Sequence, residues 1–387
     1  MIATIVLVTK QDFTHAASGG AIRVKNIAEE LHARGINVVG IAAGSAGATS
    51  MHTRWFYWRA MVGYVRVLIA YIRVGSVSCV RWLRFSAICS VLAAIERDQP
   101  SALLIEHSQM YPYSALFRGP VVLDMHNIEH ELLSNYASSA TGPYRYAARY
   151  EASRVRFLER RAVRNAALVG VVSEHDQQLA VALGAPLTRV VLAANGTSAV
   201  GFTTPRSVDE PIVSFVAALD WRPNIDAAKW LASSVWPLVR RALPAASLWI
   251  IGRSPSHEVR RLSSESGIEV FADVESVGPY LSKSAVATAP LLSAGGTRLK
   301  IVEALSFGVP VVATSLGAMG LESREGMGLH ITDDPGEFAL AILHYIAEPP
   351  DHDEVRNAVD DMRWTHTLDT FASRVGELAG SNSWCTK

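Results

Sequence analysis

The chain has 387 residues, more than one ordinary core accommodates, so two domains are expected. Hydrophobic residues make up 49% and charged residues 19%, the balance of a globular protein on the apolar side. Lys and Arg total 36 and so do Asp and Glu, and a formal net charge of zero argues against a general nucleic-acid binder, which carries a basic excess.

The first segment, Ile2 to Thr9, is a β-branched run suited to a strand buried on both faces. It has no basic n-region and no cleavage site, so it reads as a strand and not as a signal peptide. A polar loop ends in Ser18-Gly19-Gly20, and a helix from about Ala21 to Arg34 carries Ile22, Ile27 and Leu31 before Gly35 stops it. Ile36 to Ala42 is the next strand. Strand, glycine loop, helix and strand open a parallel α/β sheet. The loop is not G-x-G-x-x-G; Ser18-Gly19-Gly20 can hold a ligand at the sheet's carboxyl edge or be a plain tight turn.

Residues 52–85 are basic and aromatic, with Arg59, Arg66 and Arg73 spaced seven apart on one helical face. Asp and Glu are absent from Ala42 to Ile95. This stretch fits contact with an anionic membrane surface, or else a pair of helices packed on the sheet with solvated arginines. No uninterrupted run of about 18 apolar residues occurs, so no transmembrane helix is expected. Cys79, Cys89 and Cys385 lack metal-ligand spacing and point to a reducing compartment without a disulfide framework.

Ala102 to Glu106 and Pro120 to Met125 read as strands. His126 stands just past the second, where open α/β sheets place their ligands. A long helix follows from Gly142 to Ala166, then a strand from Ala167 to Val172, a cap at Ser173, and a short strand from Val190 to Ala193. Gly196 to Pro211 is small and polar with two prolines, the composition of a domain linker.

The second series has strands at Ile212–Ala217, Ser247–Ile251 (ending at Gly252-Arg253), Glu269–Phe271 and Val286–Ala289. A helix runs from Trp221-Arg222-Pro223-Asn224 to about Ala242. Pro290 to Thr314 then carries the strongest chemical signal. Gly295, Gly296 and Thr297 make a turn just before a helix, whose free N–H groups and dipole suit a phosphate. Arg298 and Lys300 add positive charge, and Glu303 can aim a carboxylate at hydroxyls on the same ligand. Gly308-Val309-Pro310 breaks into a strand, Val311 to Thr314, followed by a glycine-rich loop over Ser315–Leu321, a strand at Gly328–Ile331, and helices at Asp334–Ala347, Glu354–Trp364 and about Thr367–Leu378. Zinc-type spacing, a G-x-S-x-G elbow and a G-x-x-x-x-G-K-[ST] loop are all missing, so no metal is expected and the phosphate's charge falls to backbone donors, Arg and Lys.

These motifs resemble retaining glycosyltransferases of the GT-B fold, family 4 or "glycosyl transferases group 1". The resemblance rests on Gly19-Gly20, Asp124-Met125-His126-Asn127-Ile128-Glu129, Ala194-Asn195-Gly196, Ile250-Ile251-Gly252-Arg253, Gly295-Gly296-Thr297-Arg298-Leu299-Lys300, Glu303-Ala304-Leu305 and Gly308-Val309-Pro310-Val311-Val312. The Gly-Gly-Thr-Arg-Leu-Lys version is similar to a subgroup linked to exopolysaccharide and cell-surface glycan assembly. It implies two Rossmann-like α/β domains with parallel sheets facing across a cleft. Residues 1–200 would form the acceptor domain, 201–211 the linker and 212–364 the nucleotide-sugar domain. A helix within 365–387 can cross back to the first domain. It also implies a hexosyltransferase-type enzyme, expected in the cytoplasm or, through 52–85, at the inner face of the cell membrane. Its partners would be a nucleotide sugar, a glycan or lipid-linked acceptor and a membrane surface touching 52–85, with no nucleic acid and no cofactor.

By the same resemblance, Gly295 to Thr297 hold the donor diphosphate, Glu303 the ribose, and Gly19 and Gly20 approach the phosphates and acceptor. His126 lies by the transferring sugar, and Gly252 and Arg253 join the donor set. The chain departs from the family twice. The usual Arg and Lys after the second domain's first strand are displaced, so Arg298 and Lys300 are expected to take that charge, with Arg222 as an alternative. A second Glu, eight residues before the ribose Glu, is replaced by Gly295, which obscures the sugar's identity. The alternatives are a nucleotide-sugar epimerase of the same fold and a catalytically inactive nucleotide-sugar-binding protein.

Overall fold

A computed structural model describes residues 3–10, 12, 19–44, 54–139, 142–198, 211–293 and 299–380. The chain divides into two compact units, Met1–Ala194 with Trp364–Lys387, and Asn195–Arg363.

The first unit begins with β1 (Thr4–Thr9), α1 (Gly19–Ala33), β2 (Asn37–Ala42), α2 (Arg54–Val74), α3 (Val77–Val80) and α4 (Phe85–Asp98). It continues through β3 (Ala102–Glu106), a 3-10 stretch at Ser108–Leu116, β4 (Val121–Met125), α5 (Glu129–Ser139) and α6 (Pro143–Asn165). β5 (Leu168–Val171), α7 (Glu174–Ala182) and β6 (Val190–Leu192) complete the sheet. Its order is β2-β1-β3-β4-β5-β6 and every neighbouring pair is parallel. Central strands such as Ala102–Glu106 and Val121–Met125 are buried at every position, because helices cover both faces. The order reverses between β1 and β3, and open α/β sheets bind ligands outside the carboxyl ends at such a point. Ser173 caps α7 as expected: its hydroxyl accepts the Asp176 N–H.

The second unit begins with β7 (Ile212–Val216), α8 (Arg222–Trp230), α9 (Trp236–Ala242), β8 (Ser247–Gly252), α10 (His257–Arg261) and β9 (Ile268–Ala272). Then come α11 (Gly278–Leu281), β10 (Val286–Ala289), α12 (Leu299–Ser306), β11 (Val311–Ala313), α13 (Ser315–Ala318) and β12 (Leu329–Ile331). It ends with α14 (Pro335–Ala347) and α15 (His352–Asn357). The sheet order is β12-β11-β10-β7-β8-β9, again parallel throughout, with its reversal between β7 and β10. β10 leads into the residues before α12. Gly252 ends β8 where a Cβ would lie 1.7 Å from the Ala217 carbonyl oxygen, so only glycine lets the two strand ends approach. Finally α16 (Trp364–Thr367) and α17 (Asp369–Gly380) pack in the first unit, where Arg34 pairs with Asp369 at 2.6 Å.

Some local expectations differ from the fold. The helix expected from Trp221 to Ala242 contains a π stretch at Leu231–Val235 between α8 and α9. The glycine-rich loop at Ser315–Leu321 begins as a helical turn, because the Thr314 hydroxyl accepts the Gly317 N–H at 3.1 Å. The helix expected over Glu354–Trp364 breaks into α15 and a 3-10 turn at Asp360–Met362. The linker residues 201–210 lie outside the described residues.

Candidate functional site

In the first unit, the ends of β1, β3 and β4 bring together a chain of buried charges. Glu106 closes β3 and Asp124 lies in β4; β3 and β4 place the two residues opposite each other. His126 follows β4 and directs Nε2 at the Glu106 carboxylate, with Asp124 Oδ2 3.3 Å away. Arg23, one turn into α1, grips Asp124 with Nε–H at 2.7 Å and an Nη2–H at 2.6 Å, and Nη1–H donates to the Ala193 carbonyl. All four side chains are buried. Burial opposes charge on His126, but Glu106 and Asp124 outweigh it and raise its pKa to about 9. Burial also raises the Asp124 carboxyl, yet Arg23 and His126 hold it well below the usual range. Burial raises the Glu106 carboxyl, so the imidazole is held between two acids, with the proton favoured on His126 by Asp124 and Glu106 together.

Gly20 touches the same ring. A Cβ there would come 3.3 Å from His126 Nδ1, so glycine lets the start of α1 approach the imidazole. His107 also packs against it, ring centroids 4.1 Å apart and the planes tilted by 46°. Its backbone sits at φ 67° and ψ 139°, a region costly for any side chain and held here by the His107 N–H to Asp124 carbonyl bond at 2.9 Å. Burial, with Lys10 and His126 nearby, lowers its pKa to about 3, so this second ring is neutral. Glu129 Oε1 lies 3.5 Å from His107 Nδ1 and 3.6 Å from Lys10 Nζ. The donor atoms of Glu106, Asp124 and His126 all lie within 4.8 Å of one another. They do not fit a cation: both Asp124 oxygens are taken by a guanidinium and the His126 Nε2 faces Glu106.

The second unit presents a different arrangement. Lys300 and Glu303 lie one turn apart on α12, both half-buried. Lys300 Nζ donates to Asn224 Oδ1 at 3.1 Å and sits 5.3 Å from the Phe215 ring centroid. Asn224 stands at the start of α8 and Phe215 in β7, so Lys300 spans the point where the strand order reverses. Burial lowers its pKa to about 8. Glu303 has no side-chain hydrogen bond or ion pair among the described residues, and burial raises its pKa to about 7. Neither group has a charged partner among the described residues.

Of the remaining expected residues, Gly295, Gly296, Thr297 and Arg298 lie outside the described residues. Arg222 is mostly exposed and held by Asp226 at 2.8 Å and Glu258 at 3.1 Å, with Lys229 on the same Glu258 at 2.6 Å. Gly252 and Arg253 stand at the carboxyl end of β8, where the Arg253 Nε is buried without a hydrogen-bond partner. Sequence reasoning gave no role to Arg23, Glu106, Lys10 or Asn224. The signal available for Glu106 was an acid ending an otherwise apolar strand; for Arg23 it was a base one turn after Gly19-Gly20.

Two family models match the chain in tandem. A glycosyl transferase 4-like domain matches residues 18–196, and glycosyl transferases group 1 matches residues 210–348. No curated protein matches the chain in sequence. Among solved structures, a sucrose-phosphate synthase from Thermosynechococcus elongatus is similar at a TM-score of 0.64 and 16% identity, covering 97% of this chain and 98% of that one. HepE from Anabaena, solved with UDP and glucose, is similar at 0.57 and 14% identity, covering 97% and 99%. A protein assigned as a UDP-N-acetylglucosamine 2-epimerase from Listeria monocytogenes is similar at 0.58 and 10% identity, covering 97% and 96%. With a glycosyltransferase domain matched in each half and two parallel α/β sheets beneath them, the chain belongs to the GT-B glycosyltransferases.

Proposed function

We propose that the chain moves a sugar from a nucleoside-diphosphate sugar to a glycan or lipid-linked acceptor with retention of configuration, in cell-surface polysaccharide synthesis. The observation that supports a nucleoside-diphosphate donor is the pair Lys300 and Glu303: a cation and a carboxylate, half-buried on one helix face, each without a charged partner among the described residues. A nucleoside diphosphate answers both. Its phosphates supply the counter-charge for Lys300, and a ribose hydroxyl donates to Glu303.

In this reading the glycosidic bond to the diphosphate breaks and its electron pair leaves with the phosphate oxygen. The helix start before Lys300 stabilises that charge, together with the residues Gly295–Thr297 and Arg298 that precede it in sequence. The acceptor hydroxyl attacks from the face the diphosphate leaves, and a donor phosphate oxygen takes its proton. His126 binds the transferring sugar or its phosphate through Nδ1–H, since Nε2–H is committed to Glu106. No metal or cofactor is assigned a step. Contact between residues 52–85 and the cytoplasmic face of a membrane would bring the enzyme to a lipid-linked acceptor.

Incubation with a panel of radiolabelled nucleotide sugars and a membrane lipid extract tests the proposal. Label carried onto lipid or glycan, with the donor's anomeric configuration kept, is the expected result. Free epimerised donor would instead support an epimerase, a reading kept by the likeness to the Listeria protein. Binding without product would mean an inactive nucleotide-sugar binder.

A further inference from the structure

The amino edge of the first sheet, away from His126, holds a separate cavity of about 670 Å³, within the size range of small-molecule sites. It opens between α2, the start of α4's following loop and the turn before β4. Ser101, just ahead of β3, and Pro120, just ahead of β4, mark it as lying at the strands' beginnings. Its walls are mainly apolar, from Val62, Leu92, Ile95, Leu116 and Phe117. No acidic residue lines it, whereas Arg59, Arg66 and Arg118 do. Arg59 is committed to Glu96 at 2.5 Å. Arg66 and Arg118 are exposed and have no hydrogen bond or ion pair among the described residues.

The outer side of α2 explains what could reach this cavity. Its core face carries Phe56, Ala60, Val67, Tyr71 and Val74, all buried. Opposite them, Trp55, Trp58, Met61, Val65, Ile69 and Ile72 form a stripe at helical spacing, each at least 43% exposed. A water-facing stripe of large apolar side chains marks an interaction face. Arg59, Arg66 and Arg73 run along its border by the same spacing. Trp58 belongs to both features: it is 66% exposed on the stripe and lines the cavity. An apolar face edged by arginine suits the interface of an anionic bilayer.

We propose that the cavity is a binding site for one anionic lipid drawn from the bilayer that the α2 stripe contacts. Its alkyl chain lies along Val62, Leu92, Ile95 and Phe117, and its phosphate pairs with Arg66 and Arg118. This deepens the membrane contact proposed above and is independent of sugar transfer, because the site lies at the opposite edge of the sheet from His126.

Calorimetric titration of the full chain with dodecyl phosphate below its micelle concentration, together with sedimentation on phosphatidylglycerol and phosphatidylcholine vesicles, tests it. The wild-type protein should bind one dodecyl phosphate, at least tenfold tighter than the neutral dodecyl maltoside or inorganic phosphate, and should sediment with phosphatidylglycerol only. Arg66→Glu with Arg118→Glu should weaken both by at least tenfold. Ala115→Trp, which fills the mouth from an exposed position, should abolish dodecyl phosphate binding while circular dichroism and the thermal midpoint stay unchanged. Equal binding of the neutral amphiphile, or undiminished dodecyl phosphate binding by Ala115→Trp, would overturn the site. Vesicle binding that both variants keep but Arg59→Glu/Arg73→Glu loses would retain the α2 contact and remove the pocket.

Discussion

The two sheet edges handle buried charge in opposite ways. In the first unit every charge in the cluster has its partner inside the protein: Arg23 with Asp124, His126 with Glu106, Lys10 near Glu129. In the second, Lys300 finds only the neutral Asn224, and Glu303 has no side-chain partner among the described residues. A charge network closed on itself fixes the position of a ring. A cation and a carboxylate left open are costly until a ligand arrives. The same α/β architecture thus supplies a rigid wall in one unit and an unsatisfied socket in the other.

The largest expected effect comes from opening the closed network. Arg23→Met leaves Asp124 buried without its guanidinium, and breaking such a pair costs roughly 3–5 kcal/mol. Urea unfolding should show the loss; a change within error of zero would mean the pair is not closed in the way described. His126→Ala strands Glu106 in the interior and should itself destabilise.

Glu106→Gln is the gentler probe of the same wall. It keeps the shape and removes the charge that orients His126. One charge-assisted hydrogen bond is worth about 1.5–3 kcal/mol, so turnover should fall about 10- to 100-fold with little change in nucleotide affinity. The pH dependence should move as well. The His126 pKa is raised to about 9 from its ordinary 6.5, so its contribution to stability is complete below about 6.5 and is lost as pH rises through about 9. In Glu106→Gln that alkaline loss should begin at lower pH. Unchanged turnover and an unchanged alkaline limb would dissolve the link between Glu106 and His126.

In the open site, nucleoside diphosphate affinity should rise as Glu303 ionises through about pH 7 and fall as Lys300 loses its proton through about pH 8. Glu303→Gln should erase the acid limb at a cost of about tenfold in affinity, the weight of one charged hydrogen bond. A flat profile in the wild-type protein would remove both groups from the ligand.

Much of this was readable from sequence, for physical reasons. Strands buried on both faces announce themselves as apolar runs, so β1, β3, β4, β7 and β10 fall where the sequence places them. The helix α12 was readable because its signal is local: Lys300 and Glu303 follow one another in an apolar helical segment closed by Gly308-Val309-Pro310, while the glycines before it lie outside the described residues. The closed network was not, because Arg23 and Asp124 are 101 residues apart and meet only through the strand order. Helices α4 and α5 also went unread. α4 does carry a helical period, with Ser86, Ser90 and Arg97 set against buried Ile88, Val91 and Leu92, and was passed over beside the basic stretch before it, whereas α5 is polar with few buried positions. Nor could sequence show that Arg222 is tied to Asp226 and Glu258, ion pairs that leave its charge already partnered.

The contrast between the two edges is tested most directly by Lys300→Met, measured by calorimetric titration with a panel of nucleoside diphosphates and by urea unfolding of the free protein. The expected result is nucleoside diphosphate binding weakened by about 10- to 100-fold, with stability equal to or above that of the wild-type protein, because the substitution removes a half-buried charge that has no ion pair among the described residues. Unchanged affinity together with a destabilised fold would contradict it, and would make Lys300 a structural residue like Arg23.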